Sequence, residues 1–158
     1  MDDAINLART QECLSAPALT FLRAMDHNRS QVAAEIGVSS SELRALSRVA
    51  EAGRITPKML AESLEMTTGA VTAISSHLVA LNMLTRVPHP HDRRSLLLEL
   101  TPAAQVTAAR LQTEFQGLFA YASRNVTPED QIRLGLLLTS MAVIIAADSE
   151  NSPAGPTT

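Results

Sequence analysis

Apolar residues recur every three or four positions through much of the chain, which is the spacing of amphipathic helices. From about residue 17 to 36 this spacing predicts one helix that ends before Gly37. Ser39 then stands three residues before Glu42, a capping box that opens a second helix, and Gly53 closes that helix. The first third of the sequence therefore predicts two helices joined by a short turn.

Two shorter helices are predicted next, and each begins with a threonine suited to an N-cap. Thr56 precedes Pro57, which fits the first helical position, and Thr67 precedes a segment with apolar residues on one face. After Asn82 the period changes to two, with leucines at alternate positions beyond a Pro-His-Pro-His tip. This change of period predicts a β-hairpin.

Two longer helices complete the predicted pattern. Thr101 and Thr127 are each followed by proline, which repeats the N-cap signal. The last helix holds the run LGLLLTSMAVIIAA, 14 residues whose apolar members cover every side of the helix. This run is shorter than the roughly 20 residues that span a bilayer, so no membrane partner is predicted. The sequence favours a second copy of the chain as its cover, with partial burial inside one chain as the alternative.

Two short helices, a tight turn and a hairpin make a winged helix-turn-helix, in a fold that is mainly α with a small β-hairpin wing. The second helix of such a motif enters the major groove of DNA. Its polar face carries hydroxyls that can bond bases or phosphates, and a glycine that permits close backbone approach. These residues are Thr67, Thr68, Gly69, Thr72, Ser75, Ser76 and His77. Taken alone, this helix is equally compatible with an ordinary solvated face.

Charge limits how such a protein meets DNA. The 158 residues carry a formal net charge of −3, which argues against a protein that coats nucleic acid without sequence preference. Residues 54–101 hold five Lys or Arg against four Asp or Glu, a local charge of +1, whereas the segments on either side are each −2. The single cysteine, Cys13, and a start without an apolar core favour a cytoplasmic protein over a secreted one.

The segment from Ile55 to Ala104 resembles the winged-helix core of the MarR (multiple antibiotic resistance regulator) family of transcription factors. The similar pieces are LAESLEMTTGAVT for the helix-turn-helix, LVALNMLTR for its exit, and a wing signature formed by Asp92, Arg94, Leu100 and Thr101. A weaker resemblance extends over roughly residues 17–147. The resemblance implies a homodimeric regulator, in which the first helix and the last two helices form the dimerisation region.

The resulting domain division has three parts. An N-terminal arm covers residues 1–16, and a MarR-type domain covers residues 17–147. Within that domain the winged helix-turn-helix lies at about 54–101 and the dimerisation helices at about 17–36 and 102–147. Small, polar and proline-rich residues at 148–158 predict a disordered tail.

The resemblance also gives the wing arginines a role. It implies that Asp92 orients Arg94, so that Arg93 or Arg94 enters the minor groove, where narrow A/T-rich sequence has enhanced negative potential. Many relatives carry an arginine where this chain has Ala73, so phosphate contacts must come from elsewhere. The candidates from the neighbouring helix and the base of the wing are Arg54, Lys58 and Arg86.

Other reactive residues carry weaker signals. His89, His91 and Asp92 lack a fourth ligand and a supporting shell, so no metal site is predicted. The sequence shows no nucleophile elbow, phosphate loop or zinc signature, so neither an enzyme nor a cofactor is predicted. The resemblance implies a cleft where relatives take aromatic acids, which Arg23 and His27 could line for a small aromatic or anionic effector, but a solvated helix face is the commoner reason for such residues.

The predicted function is a sequence-specific transcriptional regulator that binds double-stranded DNA as a homodimer at pseudo-palindromic operators. We expect a repressor that a small-molecule effector releases. The alternative is a winged-helix module that docks a protein partner and binds no DNA, which the acidic composition and the uncharged recognition helix favour. A salt-dependent shift of duplex DNA separates the two hypotheses.

Overall fold

The computed structural model describes the backbone of residues 2–92 and 95–151, and the side chains of residues 13–92 and 95–148. The predicted helices and the hairpin are all present in these residues. The elements, in chain order, are α1 (Asp2–Glu35), α2 (Ser40–Ala52), β1 (Arg54–Ile55), α3 (Pro57–Leu64), α4 (Thr68–Ala80), β2 (Leu84–Pro88), β3 (Leu96–Leu100), α5 (Pro102–Ala122) and α6 (Pro128–Asn151).

The chain divides into two compact units, Met1–Arg110 and Leu111–Thr158. In the first unit, α2, α3 and α4 pack with the sheet around one apolar core. Its large, fully buried side chains include Val49, Leu60, Val71, Leu78 and Leu98. Truncating a leucine in such a core to alanine costs about 2–5 kcal/mol, so these contacts hold α4 in place.

The predicted N-caps are confirmed. The Glu42 backbone N–H donates to Ser39 Oγ at 3.2 Å, and the Ser39 N–H donates to Glu42 Oε2 at 2.7 Å, which completes the capping box of α2. Thr56 and Thr67 accept equivalent bonds of 3.2 Å at the starts of α3 and α4. Each of the helices α2, α3 and α4 therefore begins at a residue whose side chain bonds the backbone of its first turn.

The hairpin pairs β2 with β3 in antiparallel register, from Leu84 opposite Leu100 to Pro88 opposite Leu96. A third strand, β1, adds to the other edge of β3 and gives the order β1-β3-β2. This strand was not predicted, because two residues are too short to show an alternating pattern. It ties the segment before α3 to the wing.

The first helix is longer than predicted. It begins at Asp2 rather than near Pro17, so the segment expected as an N-terminal arm is helical from residue 2. Pro17 lies inside the helix, where its ring removes one backbone hydrogen bond, and the alanines on either side of it are strong helix formers. The predicted end is correct, since the chain leaves the helix at Gly37, which has a φ of +74°.

The last helix carries exposed apolar side chains on all of its sides in the single chain, among them Leu134, Leu136, Leu137, Val143 and Ile144. By length and composition, the segment Pro128–Asp148 is able to cross a membrane, although core helices of soluble proteins pass the same test. The segment exceeds the 14-residue run because it includes the flanking polar residues. The helix continues to Asn151, into the predicted tail, and residues 152–158 lie outside the described residues.

Candidate nucleic-acid interface

Helix α4 turns one face to the core and one to solvent. Val71, Ser75 and Leu78 lie on the inner face, because positions four and then three residues apart share one side of a helix. Ser75 is only 2% exposed, and its hydroxyl donates to the Thr72 carbonyl at 3.2 Å. The predicted DNA-reading face is therefore corrected at Ser75, which belongs to the core side.

The remaining predicted residues of α4 are exposed: Thr67, Thr68, Gly69, Thr72, Ser76 and His77. Two of their hydroxyls already serve the backbone. Thr67 Oγ1 accepts the Ala70 N–H as the N-cap, and Thr72 Oγ1 donates to the Thr68 carbonyl at 2.7 Å. A hydroxyl that donates inward still offers its lone pairs outward, so Thr72 suits a donor such as a base amino group.

Arg86 joins the base of the wing to this helix. Its Nη2 donates to Ser76 Oγ at 2.8 Å, and both residues are exposed. The guanidinium therefore lies beside the outer face of α4 with further N–H groups to offer. Such a cation at the edge of a hydroxyl-rich helix can bind a phosphate while the hydroxyls meet base edges.

Arg54 and Lys58 each face a carboxylate. Arg54 Nε donates to Glu99 Oε2 at 2.5 Å, across the paired strands β1 and β3. Lys58 Nζ lies 3.9 Å from Glu62 Oε1, one turn away on α3. An exposed pair such as Lys58 and Glu62 contributes only about 0–1 kcal/mol, so a DNA phosphate can replace the Glu62 carboxylate at little cost.

The described part of the wing tip is a hydrogen-bonded turn. The Ser95 hydroxyl donates to Asp92 Oδ2 at 2.5 Å, and the Ser95 N–H donates to the Asp92 carbonyl at 3.0 Å. Arg93 and Arg94 lie outside the described residues, so the orientation of Arg94 by Asp92 stays a prediction. Over residues 13–92 and 95–148, no group of three or more His, Cys, Asp or Glu side chains is arranged to hold a metal ion.

Sequence reasoning missed one contact to α4, between His77 and the capping residue of α2. His77 Nδ1 lies 2.5 Å from Glu42 Oε1. Burial of the Glu42 carboxyl raises its pKa, but hydrogen bonds from the Ser39 backbone N–H, from His77 and from the Ser39 hydroxyl outweigh this effect and leave the pKa below its ordinary value of 4.5. The two residues are 35 positions apart, and no local pattern links them.

Comparison with known proteins shows similarity to the MarR family in sequence. Residues 36–95 match the model of the MarR family. The multiple antibiotic resistance protein MarR of Salmonella typhimurium is 29% identical over 104 residues, which cover 65% of this chain and 72% of that protein.

Solved structures of MarR proteins share the fold. AbsC, a MarR family transcriptional regulator from Streptomyces coelicolor, aligns with a TM-score of 0.68 and 19% identity over 87% of this chain and 95% of its own. A mutant of MarR from E. coli complexed with operator DNA aligns with a TM-score of 0.58 and 22% identity, over 79% of this chain and 93% of its own. NadR in complex with 4-hydroxyphenylacetate aligns with a TM-score of 0.65 and 17% identity, over 82% of this chain and 92% of its own. With the capped helix-turn-helix and the paired wing, these similarities support a MarR family winged helix-turn-helix regulator, and members of that family are transcription regulators rather than enzymes.

Proposed function

We propose that this regulator is a cytoplasmic repressor that binds pseudo-palindromic operators as a homodimer and is released by a small-molecule effector. One observation carries the DNA-binding part of the proposal. Arg86 is held 2.8 Å from Ser76, so a cation from the wing lies at the exposed hydroxyl face of α4. A mutant of E. coli MarR with a similar fold has been solved in complex with operator DNA, which supports DNA binding by a chain of this fold.

The wing supplies the second set of contacts in this proposal. Arg93 and Arg94 enter the minor groove, and Asp92 orients Arg94 there. Arg54, Lys58 and Arg86 hold phosphates on either side of the major groove, while Thr68, Gly69, Thr72 and Ser76 approach the bases. A few local cations of this kind serve a protein whose formal net charge is −3, because sequence-specific binding needs correctly placed charges more than many of them.

The homodimer rests on the apolar residues that one chain leaves uncovered. Leu14, Leu19 and Leu22 of α1 are exposed, as are Ile144 and its neighbours on α6. An exposed apolar helix face marks an interaction site, and in this proposal a second copy of the same chain covers the apolar residues of each helix. A two-fold dimer also presents two copies of α4 to successive major grooves.

The effector in this proposal is a small aromatic or anionic molecule. NadR, which has the same fold, has been solved with 4-hydroxyphenylacetate, an aromatic carboxylate. Arg23 and His27 of α1 are exposed and offer hydrogen-bond donors to such a carboxylate.

A second candidate function is the winged-helix module that docks a protein and binds no DNA. The pairing of Arg54 with Glu99 and of Lys58 with Glu62 favours it, because both cations already have carboxylate partners. Selection from a pool of random DNA duplexes distinguishes the DNA-binding regulator from the docking module. Repeated selection with the purified protein should enrich inverted repeats whose half-sites lie about 10 bp apart on one face of the duplex. A pool that never shifts would refute DNA recognition and favour the docking module.

A further inference from the structure

Glu42 stands at a junction between helices that its capping role does not explain. It is only 8% exposed, and its two carboxylate oxygens have different tasks. Oε2 accepts the backbone N–H of Ser39 at 2.7 Å and the Ser39 hydroxyl at 2.9 Å. Oε1 is paired with His77 Nδ1 in the last turn of α4. A capping box needs only the first of these oxygens, so the second is available to hold the recognition helix.

Two further polar contacts lie at residues close to this pair in the sequence. Next to His77, Ser76 accepts the bond from Arg86 of β2. On the other side of Glu42, the Ser40 hydroxyl at the start of α2 lies 3.3 Å from the Ser30 hydroxyl of α1. The second half of α4 is therefore held at two adjacent residues, by α2 through His77 and by the wing through Ser76.

We propose that Glu42 is a positioning residue for DNA recognition, which fixes the orientation of α4 through His77 although its buried carboxylate cannot touch DNA. This inference rests on the proposed function, since it assigns Glu42 a part in operator binding by α4. Recognition side chains must be held within about 0.5 Å and 10–20° of their productive geometry, so a loosened helix loses base contacts. A hydrogen bond to a buried carboxylate is of the stronger kind, which suits it to this task.

The test is a double-mutant cycle on affinity for the duplex that wild type selects most strongly. Glu42→Ala and His77→Ala should each weaken binding about tenfold, and the double variant should be no weaker than either single variant, because both remove one interaction. His77→Asn should bind more tightly than His77→Ala, since the asparagine amide nitrogen lies near the former position of Nδ1 and can donate to Glu42. The salt dependence should be unchanged in Glu42→Ala, because the buried Glu42 carboxylate contacts no phosphate.

Ser39→Ala is the matched control for the capping role. It removes the hydroxyl half of the capping box and lowers the melting temperature, while Glu42 and His77 stay paired, so its operator affinity should stay within about twofold of wild type. Multiplicative losses in the double variant, or a Glu42→Ala affinity equal to that of Ser39→Ala, would overturn the proposal. If Glu42→Ala does not fold, the comparison of His77→Asn with His77→Ala decides, because His77 is exposed and its variants keep the core intact.

Failure of the proposed function has a different signature. If wild type binds no selected duplex, the DNA-binding proposal fails, and the positioning of α4 is then measured by NMR in the free protein. Glu42→Ala should shift the His77 imidazole signals and the α4 amides on the exposed face, whereas Ser39→Ala should leave both near their wild-type positions. Unchanged α4 amides in Glu42→Ala would overturn the positioning role by themselves.

Discussion

Replacing Ile144 with aspartate tests whether α6 forms the dimer interface. Ile144 is 65% exposed in the single chain, so the fold of one chain should tolerate a polar side chain at this position. A dimer that covers the residue should not tolerate it. The substitution therefore separates damage to the interface from damage to the fold, which a buried position would not allow.

The size of the effect follows from the exposed area and from the new charge. Burying a whole isoleucine side chain is worth about 1.5–3 kcal/mol, so covering the exposed two thirds of Ile144 contributes about 1–2 kcal/mol in each subunit. An unpaired carboxylate in the interface adds a penalty of several kcal/mol. The sum exceeds about 4 kcal/mol, which corresponds to a dimer dissociation constant raised about a thousandfold.

Sedimentation equilibrium measures this change directly. Wild type should sediment at twice the chain mass of 16.9 kDa, and Ile144→Asp should sediment near 16.9 kDa at micromolar concentration. Met59→Asp is the matched control, because Met59 is 55% exposed but lies on α3 of the winged helix. The reasoning is refuted if Ile144→Asp stays as dimeric as Met59→Asp. A wild type that remains in solution only with detergent would instead point to a membrane as the cover of α6.

Three further predictions concern the wing, the buried carboxylate and the core side of α4. Arg94→Ala should weaken the free energy of operator binding by about 1–3 kcal/mol, with a smaller loss on random duplex, and Asp92→Ala should weaken operator binding less than Arg94→Ala does. Fluorescence anisotropy measures both affinities, and equal losses on the two duplexes would contradict recognition of the minor-groove shape. Because its pKa is held below 4.5, ionised Glu42 stabilises the fold above about that pH, and this stability is lost as the pH falls through its folded-state pKa. Urea unfolding should therefore show a free-energy gap between wild type and Glu42→Gln at neutral pH that shrinks as the pH falls below about 4.5, and a gap that stays constant into acid would contradict this stabilisation. Ser75→Ala should leave operator affinity unchanged, since its hydroxyl faces the core, and a tenfold loss would place Ser75 in the interface after all.

Local signals along the sequence predict most of the architecture. Helix starts at Ser39, Thr56 and Thr67 follow from side chains that bond their own backbone, so a few consecutive residues contain the whole signal. The hairpin follows from a change of period that only an extended chain explains. The family resemblance of residues 55–104 depends on these same features, which is why the fold and the family could be predicted together.

The errors arise where tertiary context decides. The strand Arg54–Ile55 exists because β3 passes beside it, and two residues carry no period of their own. The helical spacing of Ser75 with Val71 and Leu78 is enough to predict that Ser75 is buried, but its hydroxyl led to its assignment to the polar face. The bond between Glu42 and His77 needed the packing of α2 against α4, which no spacing within either helix encodes.

Sequence-specific DNA recognition by a dimer is tested most directly by one titration. Fluorescence anisotropy of the selected duplex and of a base-shuffled duplex is measured against protein at several salt concentrations. The account predicts binding of one dimer to the selected duplex at least about a thousandfold tighter than to the shuffled one, with affinity for both falling linearly on logarithmic axes as salt rises. Equal affinity for the two duplexes, or no binding to either at low salt, would contradict it.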